Sequence, residues 1–203
     1  IAQSTSWTGT VSTSWSNSAN WTNGVPDSTK DAFIGDGYYS GTYEPRITTR
    51  GTCKSLTIGG VHPITFTQAM VLRVFENVHI ESNGTLTHGS PALYVAGNWI
   101  NNGTYNPTSA NSQVVFSGTL QTVGGTSTTN FIKLDVARNS TIILANDITS
   151  IGAGRRRVCS TGLSASTVAR VTGLICCASK PPQSDRTGNG AQTSRALHLQ
   201  HGQ

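Results

Sequence analysis

Five consecutive segments beginning at Cys53, residues 53–70, 71–90, 91–111, 112–130 and 131–150, repeat a plan of strand, turn, strand, turn at a spacing of about twenty residues. They are rich in Val, Ile, Leu, Thr and Gly and contain no stretch of helical period. A chain built on such a period buries its apolar face by stacking each unit on the next, so the repeat predicts a solenoid. Within each unit apolar and polar residues alternate, as in strands with one buried face.

Two inward columns run through the repeats. The first is Leu56, Val74, Val95, Val114 and Leu134; the second is Phe66, Leu86, Tyr105, Val123 and Ile142. Asn83-Gly84, Asn102-Gly103 and Ser117-Gly118 supply turn residues where the chain must change direction. The expected fold is all-β, a right-handed parallel β-helix, because parallel crossovers favour that hand. An antiparallel β-sandwich is the alternative, since Asn-Gly turns also close hairpins, but it does not explain why both columns repeat together. Residues 1–50 read as an N-terminal Trp-rich cap, 51–150 as the coils, and 151–203 as a basic, aperiodic tail.

Charged residues make up 11% of the chain, so its solubility rests on hydroxyl and amide groups, a profile common among extracellular β proteins. No apolar run approaches the roughly eighteen residues of a membrane span. Ile1-Ala2-Gln3 reads as the end of a signal-peptide cleavage region, which points to export. Residues 1–150 carry 7 basic and 8 acidic side chains, a balance of −1, and residues 151–203 carry 7 and 1, a balance of +6. The basic excess therefore belongs to the tail, and the body has no basic face for nucleic acid.

That tail breaks the pattern. Where the next coil requires an apolar residue near position 154, the chain reads Gly154-Arg155-Arg156-Arg157. Burying those guanidinium groups is prohibitive, and disorder is expected beyond them. A basic arm, a natural linker and a non-native carboxyl end are the competing origins.

Side chains that carry chemistry are sparse. Cys53 stands alone in the coils, apart from Cys159, Cys176 and Cys177, so no disulfide framework is expected and Cys53 reads as a small core residue. Glu76, Glu81, Asp135 and Asp147 form no ladder, and Asp27, Asp31 and Asp36 lack calcium-loop spacing. His62, His79 and His88 share no zinc-type spacing and read as solvated side chains. Neither a catalytic residue, a metal site nor a cofactor is expected. Four N-x-S/T sequons begin at Asn20, Asn83, Asn102 and Asn139, and turn chemistry explains them better than glycosylation. Thr65 with Thr67 and Thr85 with Thr87 occupy equivalent outward positions; such an array can order water, but the next coil offers Thr104 and Asn106 and the following one Gln121 with no clear pair, so β-propensity on a solvent face is the stronger explanation.

Residues 7–34 hold Trp7, Trp15 and Trp21. Trp7, Gly9, Trp15, Asn20, Trp21, Gly24, Pro26, Asp31 and Ile34, followed by Cys53, Ser55, Leu56 and Ile58, form a pattern that resembles the start of large secreted bacterial surface proteins. These are adhesin-like β-solenoids of the Bacteroidetes and autotransporter-passenger type. The resemblance covers about residues 5–150 and implies a module of a longer cell-surface protein, in a group whose roles include adhesion, gliding, matrix and enzymatic ones. A solenoid end exposes apolar side chains and unpaired strand groups, which clustered indoles are suited to cover. Indoles also stack on pyranose rings when one face is in solvent. Trp99, beside the Val95 strand and before a turn, is the leading candidate for that role, with Tyr105, Trp15 and Trp21 as further ligand-binding candidates.

The expected function is thus that of a non-enzymatic, secreted structural or adhesive module at the bacterial cell surface, with glycans or matrix polymers as partners. An uncapped coil would permit end-to-end self-association. A polysaccharide-active β-helix enzyme and an ice- or surface-binding solenoid are the alternatives.

Overall fold

The chain winds as a parallel β-solenoid of about five turns. The computed structural model describes residues 3–145 and, as backbone, the strands Ile148–Ala153 and Val158–Ser160. Strand β1 (Gln3–Ser6) comes first and pairs with β2 (Lys30–Ile34), which with β3 (Arg46–Ile47) belongs to the first winding. The second supplies β4 (Gly51–Cys53), β5 (Leu56–Ile58) and β6 (Ile64–Gln68). The third has β7 (Leu72–Val74), β8 (Val78–Ile80) and β9 (Gly84–His88), and the fourth β10 (Leu93–Val95), β11 (Trp99–Asn101) and β12 (Thr104–Pro107). Next come β13 (Gln113–Phe116), β14 (Leu120–Gly124), β15 (Thr129–Val136), β16 (Thr141–Leu144), β17 (Ile148–Ala153) and β18 (Val158–Ser160). β17 crosses the position at which the composition turns basic. Beyond these strands the tail, with the expectation of disorder placed on it, lies outside the described residues.

Equivalent strands of successive windings pair into three sheets. The eight-stranded sheet runs β1-β2-β5-β8-β11-β14-β16-β18, the six-stranded β4-β7-β10-β13-β15-β17, and the four-stranded β3-β6-β9-β12. Every strand pairing among the described residues is parallel. This excludes the antiparallel sandwich: from β2 onward consecutive strands go to different sheets, so the Asn-Gly turns round corners instead of closing hairpins.

All ten residues of the two expected columns are buried, but the columns themselves need correction. Leu56 stacks with Val78, Trp99, Val123 and Leu144 in the eight-stranded sheet. Val74 and Val95 stack with Cys53 and Phe116 in the six-stranded sheet, where Val114 and Leu134 belong to a parallel row with Leu72 and Leu93. In the second column Phe66, Leu86 and Tyr105 form a true stack, whereas Val123 and Ile142 lie in the eight-stranded sheet in separate rows. The cause is that all three strands of a winding alternate with the same period of two, so a step of about twenty residues lands on an inward position without fixing the sheet.

Corners bring the windings into close contact. A Cβ at Gly103 would stand 2.1 Å from the Glu81 carbonyl oxygen of the winding before it, and one at Gly118 2.0 Å from that of Ala96, so neither position has room for a side chain. Asparagine amides continue the winding-to-winding bonding past the strand ends. Asn98 N–H donates to Asn77 Oδ1 at 2.8 Å, and Thr122 N–H donates to Asn98 Oδ1 at 2.8 Å. Gly60 N–H donates to Asn83 Oδ1 at 2.8 Å, and Thr126 N–H to Asn102 Oδ1 at 3.0 Å. The turn reading of the sequons at Asn83 and Asn102 is thereby borne out.

Between β1 and β2 the chain folds back over the outer edge of the first winding. Thr13 O and the Trp15 main chain bond to Arg46 of β3 on the side away from β6. Thr22 exchanges bonds with Ser6 through its N–H and Oγ1, and Asn23 Nδ2 donates to Ser4 O at 2.8 Å, occupying the free edge of β1. Asn20 holds this segment in shape: its buried amide accepts from Val11 and Ser12 N–H and donates to Ser12 Oγ and Ser14 O.

Two outcomes follow from this packing. Asn20→Ala removes four hydrogen bonds that hold residues 11–14 and is expected to lower the unfolding free energy in urea by about 2 kcal/mol. Gly103→Ala is expected to cost more than about 2 kcal/mol by overpacking, while Gly37→Ala, whose Cβ would meet nothing within 4 Å, should leave the urea midpoint unchanged.

Candidate functional site

The four ligand-binding candidates do not reach solvent. Trp15, Trp21, Trp99 and Tyr105 are 3%, 5%, 0% and 6% exposed, so none offers a ring face to a sugar. Trp15 and Trp21 meet edge to face at 4.8 Å, Trp21 Nε1 donates to Trp15 O at 2.8 Å, and Trp7 and Phe66 close the cluster at 5.2 Å each. Trp99 packs among Tyr105, Phe131 and Phe116, with Nε1 donating to Thr129 Oγ1 at 3.2 Å. The expectation of an exposed Trp99 is overturned because adjacent apolar residues in a strand face opposite ways. Trp99 takes the inward position, and Ile100, 36% exposed, takes the outward one. The most exposed aromatic rings are Tyr38, Phe75 and Tyr43, at 64%, 49% and 39% exposure, all between strands; Tyr94 lies outward beneath the Arg73 guanidinium, 4.3 Å from its centroid. No sequence pattern distinguished them, since turn residues carry no periodicity.

A buried polar cluster was missed. His88, expected in solvent, is fully buried. Its Nε2 lies 3.2 Å from Pro91 O, which only accepts, so Nε2 carries the proton and Nδ1 accepts from Tyr105 Oη at 2.7 Å. Gln68 stacks on His88 and donates through Nε2 to Met70 O at 2.7 Å and Pro91 O at 3.1 Å, while its Oε1 is buried without a partner. Ser112 Oγ bonds the carbonyls of His88 and Gly89 at 2.7 and 2.8 Å. Burial pulls His88 down to about 4, against a smaller opposing effect of the Pro91 hydrogen bond, and raises the Tyr105 phenol. The cluster is closed to solvent and serves packing. The one sequence signal for it was the phase of the β9 alternation, which places His88 inward with Leu86.

The remaining titratable groups are dispersed. Asp27 bonds Thr29 and Lys30, Asp31 lies near Lys54, and Asp36 accepts from Ser6 and Tyr38, so these carboxylates do not converge. Hydrogen bonds from Thr29, with Lys30, bring Asp27 down to about 2. Glu76 lies near Lys54, and His79 stands between Glu81 and Asn102 Nδ2 at 3.5 and 3.1 Å. Among the described residues no group of three or more His, Cys, Asp or Glu side chains is placed to hold a metal ion. Cys53 is buried and unpaired, as expected, and burial raises its thiol. An open depression of about 430 Å³ lies beside β1, lined by Gln3, Ser4, Asn23 and Lys30.

The threonine pairs do come together. In the four-stranded sheet Thr65, Thr85 and Thr104 stack in register, as do Thr67, Thr87 and Asn106, all on the outward face, with Arg46 continuing the second row on β3. The other outward faces are mixed: Thr52, Arg73, Tyr94, Val115 and Asp135 on the six-stranded sheet, and Phe33, Thr57, His79 and Ile100 on the eight-stranded one.

Residues 6–115 match the model of a family described as Domain of unknown function (DUF8693). No curated protein and no solved structure matches the chain.

The buried imidazole gives a signed pH dependence. The unfolded chain takes up the His88 proton near its ordinary value of 6.5 and the folded chain only near 4. The His88 contribution to stability should therefore fall as pH drops from about 6.5 to 4, by up to about 3 kcal/mol in urea unfolding, and change no further below that. His88→Gln should remove that slope between pH 6.5 and 4.5; a variant with the unaltered slope would assign it elsewhere.

Proposed function

The chain belongs to the DUF8693 family, and we propose that it is a non-catalytic structural or adhesive module of a larger secreted bacterial surface protein. Glycans or matrix polymers meet it on an outward strand face rather than on indoles. The observation that carries this reading is the in-register continuity of the outward rows, which gives extended, repetitive surfaces parallel to the solenoid axis. Contacts repeated at each winding add their small energies along a polymer, as linked sites do in multivalent binding. The N-terminal segment with Trp7, Trp15 and Trp21 acts as a cap in this reading, since it occupies the open edges of β1 and β3 that would otherwise template pairing with another chain.

A glycan array read together with reducing-sugar release from the same polymers tests the proposal. Retention of one or more glycans without release is the expected result. Release of reducing ends would replace this reading by that of a polysaccharide-active enzyme.

A further inference from the structure

We propose that the outward face of the four-stranded sheet is the binding platform, and that its ligand is a neutral, extended polysaccharide lying along the solenoid axis. This rests on the adhesive reading above and names its site and ligand class. Thr65, Thr85 and Thr104 in one row, with Thr67, Thr87 and Asn106 in the next, occupy three consecutive windings without a break in register. Adjacent strands in a sheet lie about 4.8 Å apart, and residues two apart along a strand about 6.7 Å, so the six side chains form a regular flat grid.

The chemistry of that grid is uniform. Each threonine sets a methyl beside a hydroxyl, one suited to the C–H face of a pyranose and the other to its ring hydroxyls. Branching at Cβ holds χ1 nearly fixed, so little side-chain freedom is lost on binding. One strand step is close to the length of one sugar in an extended chain, so successive sugars meet equivalent pairs of side chains. None of the six carries a charge. At the β3 end, the Glu44 carboxylate already accepts from Thr65 N–H at 2.8 Å, leaving Arg46 as the cation in line with the rows. A face of this kind complements an uncharged polymer, whereas a polyuronate would bring a charge per sugar to a surface with one cation at its margin. The other two sheets present ionic and apolar groups within their rows and lack this match.

Co-sedimentation of the full chain with powdered cellulose and chitin, set against polygalacturonate and alginate beads, tests the assignment. Binding to a neutral polymer is expected, and the double variant Thr67→Glu, Thr87→Glu should weaken it by about tenfold or more with its β-sheet circular dichroism retained. Thr85→Val, which keeps the methyl and removes the hydroxyl, should weaken it several-fold and serves if the charged variant does not fold. Thr52→Glu on the six-stranded sheet should leave it unaltered. Neutral-polymer binding that survives the Thr67, Thr87 and Thr85 changes would overturn the site while leaving the adhesive reading standing. Preference for the polyuronates would overturn the ligand class. Thermal hysteresis without polysaccharide binding would assign the face to ice instead, and retention of no carbohydrate at all would remove both this inference and the adhesive reading.

Discussion

The parallel hydrogen bonding of each winding to the next fixes the rest of this structure. Once equivalent strands pair in parallel, the rise of the solenoid is set by the strand separation, and every side chain lies over its counterpart one winding away. Corners must then keep the same separation, which is why glycine stands at Gly103 and Gly118 and why asparagine amides at Asn77, Asn83, Asn98 and Asn102 carry bonds between windings. The same constraint turns an ordinary strand preference for threonine into an ordered array on one face.

Such a stack has an interior without breaks but ends that are open. At the amino-terminal end the free main-chain groups of β1 and β3 find partners in the segment that carries three of the four tryptophans. The indoles fill the first winding from its end, and Asn20 supplies the hydrogen bonds that a regular strand would have supplied to residues 11–14. The interior also admits polar groups where a corner needs them: Gln68, His88 and Ser112 satisfy carbonyls on either side of the turn that contains Pro91. Their burial fixes their protonation and hydrogen-bond roles, so chemistry at the surface is left to residues with a different origin, the outward positions of the strands.

Aromatic residues are informative in this respect. Alternation within Asn98, Trp99, Ile100 and Asn101 is compatible with either phase, and the larger ring went inward, where it meets Tyr105, Phe116 and Phe131. What the four-stranded sheet leaves outward is a flat face of small polar side chains in register.

The sequence by itself determined the class of fold, the number of residues per winding, the buried side of most strands, the turns at Asn83 and Asn102, and the outward threonine pairs, because alternation and turn chemistry are local properties. It also marked Cys53 as interior. Only the tertiary structure decided which sheet each inward residue joins, that Trp15, Trp21, Trp99 and Tyr105 are enclosed, and that His88 is buried against Tyr105. Three strands sharing one period of two are indistinguishable along the chain, and the corners that separate them are set by contacts between windings that no single repeat contains.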